Sequence, residues 1–160
     1  MKNFLVNKLL GSAMVFVLLI STLFGVGCTS DIDNLREFYT VVKESQELLD
    51  IVADDIYSNW HDAIYDDSFG GDINRAIYYA QLDNSENLQT IDSNDDLIKE
   101  LYKKVKETDL QFEVKAVMSA YNEYYEFVVN VSGSYNSYSA SKETLKKALA
   151  SAIKNLELEL

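Results

Sequence analysis

The sequence predicts an all-α protein, a small antiparallel helical bundle of about four helices, behind a distinct N-terminal segment. Three observations predict it. Apolar residues recur in steps of three and four through most of the chain. There is no Pro among 160 residues, and three Gly- or Ser-containing clusters divide the body into about four segments. Strand signals are nearly absent, since Phe127-Val128-Val129-Asn130-Val131 continues a helical face and has no partner hairpin.

In chain order, residues 1–27 come first and differ from the rest. Lys2 and Lys8 are their only charges, and an uncharged run from Leu9 to Gly27 follows. A basic region ahead of an apolar run is the layout of an export signal, with the positive charges held on the cytoplasmic side. Residues 28–33 form a junction and short tether, and residues 34–160 the helical domain.

Within that domain Leu35, Phe38, Tyr39, Val42, Leu49, Val52, Ile56, Trp60, Ala63 and Ile64 mark one face of a long helix from Asn34 to Tyr65. Asn34 and Glu37 supply its cap. A short helix from Asp72 to about Leu82 follows the Gly70-Gly71 break, with Asp72 as cap and Ile73, Ala76, Ile77, Tyr79 and Ala80 as the inward set. The polar stretch that follows, to Asp92, reads as a connection. Ser93 with Asp96 then resembles a capping box before Leu97, Ile98, Leu101 and Val105. Thr108 with Gln111 repeats the signal before Leu110, Val114, Val117, Met118, Tyr121, Tyr125 and Val128, so a break or kink is expected near residues 107–109. The last helix is expected from about Ser139 or Ser141 to Leu156, on Leu145, Leu149, Ile153 and Leu156.

The junction carries the clearest motif. Gly25-Val26-Gly27-Cys28-Thr29-Ser30 resembles the lipobox of bacterial lipoproteins, in which a small residue precedes a Cys; Gly25 stands where that family usually has Leu. The resemblance implies that Cys28 is diacylated and becomes the new N-terminus, placing the body on the extracytoplasmic face of the cell membrane. Two alternatives stay open: cleavage after the small-x-small Gly25-Val26-Gly27, and retention of the 19-residue apolar run as a transmembrane helix. Two acyl chains hold a protein stably where one holds it marginally, so the body itself needs no membrane-binding surface.

Charge and residue types narrow the chemistry. The formal net charge is -12, which excludes a nucleic-acid partner, and removing residues 1–27 takes away two more positive charges. The acidic body is therefore expected to stand off from an anionic leaflet. One Cys and one His rule out a disulfide framework, a Cys/His zinc centre and the usual nucleophilic triads. His61, beside Asp62, Asp66 and Asp67, reads as a surface histidine among acids. Asp66, Asp67, Ser68 and Asp72 around Gly70-Gly71 offer oxygens to a hard cation, but the EF-hand spacing fails, and turn-making with capping accounts for them. No catalytic residues, metal or cofactor are expected.

Eleven tyrosines are the conspicuous excess. Most fall at helical core spacing and read as core packing, with Tyr121, Tyr124 and Tyr125 as the candidate binding residues of a partner-facing aromatic patch; Tyr135 and Tyr138, in a Ser-rich loop, are expected to be exposed. Lys103, Lys104 and Lys106 read as a solvated helix face. The expected role is binding or assembly with another cell-envelope protein or a glycan. The rivals are a phage-exclusion or immunity lipoprotein, and an envelope hydrolase using carboxylates near Asp54/Asp55 and Asp66/Asp67.

Overall fold

A computed structural model describes residues 31–160. The signal segment, Cys28 and the first residues of the tether lie outside the described residues. Five α-helices, rather than about four, and one 3-10 turn make up the described chain: α1 Asp31–Tyr65, the turn Ser68–Gly71, α2 Ile73–Asp83, α3 Ser85–Val105, α4 Gln111–Val129 and α5 Tyr135–Glu157. There is no strand among the described residues, and residues 127–131 complete α4 and leave it. No helix of the described residues is long and apolar enough to cross a membrane.

The long first helix is the organiser. Its 35 residues extend about 52 Å at 1.5 Å per residue, and it packs against every other element. Phe38, Val42, Leu49, Val52, Ala53 and Ile56 are fully buried along it. Each large apolar side chain so buried contributes about 1.5–3 kcal/mol.

Side-chain pairs fix helix directions. Tyr39 on α1 donates to Glu157 on α5 at 2.7 Å, Lys146 pairs with Asp50 at 3.1 Å, and Lys142 pairs with Asp54. Positions rise along α1 as they fall along α5, so the two helices run oppositely. The same logic sets α2 against α1, through Asn59 to the Ala76 carbonyl and Asn84 to Asp55. Tyr124 of α4 donates to Asp50 and Tyr121 lies beside Ser45, so α4 runs with α1.

Several local expectations need correction. The stretch from Ser85 to Asp92 is the first part of α3, because Leu88, Ile91, Asp95, Ile98, Leu101 and Val105 form one continuous inward stripe. The stripe is disguised in sequence by a buried Asp95 at an apolar position. Ser93, expected as a cap, sits mid-helix and donates to the Gln89 carbonyl at 3.0 Å. The true boundary is Asn84, whose side chain reaches Asp55 at 2.7 Å and the Ala80 carbonyl at 3.0 Å, and accepts from Asn87 at 2.8 Å.

The break near residues 107–109 is present, but Thr108 turns back to the Val105 carbonyl at 2.8 Å and α4 begins after Leu110 without a side-chain cap. Asp72 caps α2 as expected, accepting from the Arg75 amide at 3.1 Å. The last helix starts earlier than expected, at Tyr135, through a Ser134/Ser137 capping box. Tyr138 is consequently buried and Tyr135 half-buried, so neither is the exposed loop residue the Ser-rich composition suggested. Lys103 and Lys104 are solvated, as expected, and complement the negative end of the α3 dipole.

Candidate functional site

Tyr121 and Tyr124, the first two residues expected to offer a binding face, are fully buried. That placement agrees with the core-packing reading of these tyrosines. They fall on the inward stripe of α4 with Val114, Val117 and Val128, so their rings fill the core. Burial raises both phenols well above their ordinary value; for Tyr124 the hydrogen bond to Asp50 at 2.8 Å raises it further. Tyr125 is half-buried, stacks on Tyr121 with ring centres 6.0 Å apart, and donates to Asp92 at 3.0 Å. Burial and then that hydrogen bond push its phenol up to about 12.

The carboxylates near Asp54 and Asp55 are engaged in holding helices together. Asp54 pairs with Lys142, whose ammonium also lies 4.5 Å from the centre of the Tyr57 ring, and Asp55 accepts from Asn84. His61 is half-buried at the end of α1, with Nδ1 3.2 Å from Asp62 and its ring 4.7 Å from that of Tyr65. His61, Asp62 and Asp66 bring three ligand-type atoms within 4.8 Å of one another on a solvent-facing surface. Asp67 and Phe69 both take left-handed backbone angles, φ 52° and 57°, just before the left-handed Gly70 and Gly71. For residues with a side chain that conformation costs on the order of 1–2 kcal/mol each. Phe69 is held there by stacking on Tyr79, ring centres 5.9 Å apart.

The same end of the molecule gathers the exposed apolar side chains. Of ten large hydrophobic residues exposed in the described chain, six lie between residues 64 and 82: Ile64, Tyr65, Ile73, Tyr78, Tyr79 and Leu82. The cause is in α2. Seven of its eleven residues are apolar, more than one face of a three-turn helix can bury, and only Ala76 and Ala80 are buried. Ile73 and Tyr79, expected to face inward, are 37% and 43% exposed. Tyr78, at 59%, and Leu82, at 48%, sit one turn apart on the side away from α1.

Charge is as uneven as hydropathy. Between Glu44 and Ile98 the chain has fourteen acidic residues and one basic residue, Arg75, whereas from Lys99 to Leu160 acids and bases balance at nine each. α1 ends at this acidic end with no basic residue in its last turn. The negative end of its dipole is thus left facing Asp62, Asp66 and Asp67. At the opposite end, a shallow groove of about 340 Å³ between the start of α4 and the end of α5 is lined by Phe112, Ala116, Ala152 and Leu158.

The described residues form an all-helical body with exposed aromatic side chains and acidic residues gathered at one end. In comparisons with known proteins, no family model, curated protein or solved structure matches the chain.

Proposed function

We propose that the protein is a bacterial lipoprotein, acylated on Cys28 and held on the extracytoplasmic face of the cell membrane, whose helical body binds another envelope protein or glycan and performs no catalysis. The observation that carries the binding role is the concentration of exposed apolar side chains on α2 and the end of α1. Large contiguous apolar patches rimmed by polar residues mark interaction sites.

The anchor reading rests on Gly25-Val26-Gly27-Cys28 and on its place in the chain. Cys28 precedes the first residue of α1 by three positions, a span of no more than about 10 Å. The tether therefore meets the bundle where α1 begins, and the apolar face lies at the other end of a helix about 52 Å long. Read together, α2 and α3 act as one bent column against α1, which gives an antiparallel bundle of four columns.

Intact-mass analysis of the protein in membrane fractions, with Cys28→Ala alongside, tests the anchor. A mature chain beginning at Cys28 with added acyl mass, lost together with membrane retention in the variant, is expected. Unchanged maturation and retention in Cys28→Ala would overturn the anchor.

A further inference from the structure

We infer that the outer face of α2, built on Tyr78, Tyr79 and Leu82, docks a cationic amphipathic segment of another protein; this deepens the binding-module reading and rests on it. Three features select that occupant. The face is apolar and rigid: Tyr78 packs edge-on against Tyr79 at 5.6 Å, and Tyr79 is backed by Phe69. Tyrosines of this kind give up little rotamer freedom when covered, and their ring faces attract ammonium and guanidinium groups. The surroundings are acidic: Asp66, Asp67, Asp72 and Asp83 are all exposed, against a single base, Arg75, which lies one turn before Tyr78 and Tyr79 on the same face of α2.

The third feature is the frustrated end of α1. Asp62, Asp66 and Asp67 crowd a helix C-terminus that electrostatics would furnish with cations, and no basic residue occupies its last turn. A positively charged segment lying along α2 supplies what that terminus lacks. A second copy of this chain would do the opposite, because an isologous contact sets the acidic rim against itself. The partner that fits has lysines or arginines flanking leucine-type side chains spaced to meet Tyr78 and Leu82, one helical turn apart.

The test uses the full chain in zwitterionic nanodiscs, with empty discs as the blank. The probes are three dye-labelled peptides of about 18 residues, long enough for an amphipathic helix: Leu/Lys amphipathic, Leu/Glu with the same apolar pattern, and Lys/Ser without apolar residues. Fluorescence anisotropy is expected to show binding of the Leu/Lys peptide alone. Its affinity should fall about tenfold or more in Tyr78→Ser/Leu82→Ser, fall with added salt, and hold in Phe112→Ser, which alters the exposed side chain at the far end. Circular dichroism of each variant confirms the fold.

Equal binding of the Leu/Glu peptide, full affinity in the double variant, or no binding of the Leu/Lys peptide overturns the proposal. So does a dimer in sedimentation that the double variant dissolves, which assigns the face to a second copy. Binding of a neutral hexasaccharide in place of the peptide would assign it to a glycan. Cys28→Ala leaves the α2 face intact and Tyr78→Ser/Leu82→Ser leaves Cys28 intact, and peptide binding by Cys28→Ala is read in solution without discs, so failure of the anchor and failure of the docking face are separately visible.

Discussion

At the scale of single residues, the sequence identifies which side chains are chemically unusual but not which way they face. Tyr121 and Tyr124 illustrate the limit: helical spacing favours the stripe of Val114, Val117 and Val128, an aromatic run also reads as a surface patch, and the packing of α4 on α1 decides between them. Lys142 is a second case. Nothing in Ser141-Lys142-Glu143 marks it, but its side chain is 9% exposed, held by Asp54 and lying over Tyr57. Burying an ammonium is costly unless a carboxylate compensates, so the two halves of the pair are unequal when removed. Asp54→Ala leaves a buried cation with only Glu143 at 3.9 Å and is expected to lower stability by about 1–2 kcal/mol, below the fully buried case because Asp54 is half exposed. Lys142→Met keeps the packing on Tyr57, removes the charge, and is expected to be near neutral. Urea denaturation of both variants measures the contrast, and equal losses would show that packing rather than charge compensation governs the site.

At the scale of elements, local chemistry locates the start of α2 but misleads elsewhere: Asn34 lies inside α1, Ser93 lies inside α3, and Thr108 does not cap α4. Asp72 caps α2 because a Gly-Gly break precedes it and an amide lies three residues on, all of it visible in sequence. The start of α3 is different, since its first turns are polar and its boundary is the node that Asn84 makes with Asp55, a residue 29 positions away. The start of α5 was missed for another reason: Ser134 and Ser137 form a capping box without the usual Glu or Gln, and sit in a run of serines that resembles a loop. Gly133 sets up that box. Its φ is +92°, and a Cβ there would meet the Ser137 hydroxyl at 2.8 Å. Gly133→Ala combines a strained backbone with a disturbed cap and is expected to cost about 2 kcal/mol; Ser134→Ala, which loses the cap alone, about 1 kcal/mol. Thermal unfolding followed at 222 nm checks the order, which would be reversed if the box contributed more than the backbone angle.

At the scale of the molecule, the helical class was legible because it depends on summed periodicity, whereas the acid-rimmed face was not, because it depends on α2 having more apolar residues than α1 can cover. The excess of tyrosine has a whole-molecule consequence as well. Tyr124 and Tyr138 are buried where α1, α4 and α5 meet and Tyr121 where α4 faces α1 and α3, and burial raises all three phenols well above 10. Tyr125 and Tyr135 are raised to about 12, in each case by burial first and then by a hydrogen bond, to Asp92 and with Tyr57 respectively. A group whose native pKa lies above its unfolded value binds more protons folded than unfolded in the interval between the two. The stabilisation is therefore complete below about pH 10, where unfolded phenols begin to ionise, and falls as pH rises towards the native values. Five such groups act in the same direction, so alkaline loss of structure should be steep, with these phenolates appearing together with the loss of helix. Absorbance at 295 nm and ellipticity at 222 nm, recorded on one sample from pH 8 to 13, should show two phases. The phenols of Tyr121, Tyr124 and Tyr138 belong to the second phase, in which the ellipticity collapses. A single smooth titration near pH 10 with unchanged helix content would mean that solvent reaches these rings in the folded state, and would contradict the packing of α4 and α5 on α1.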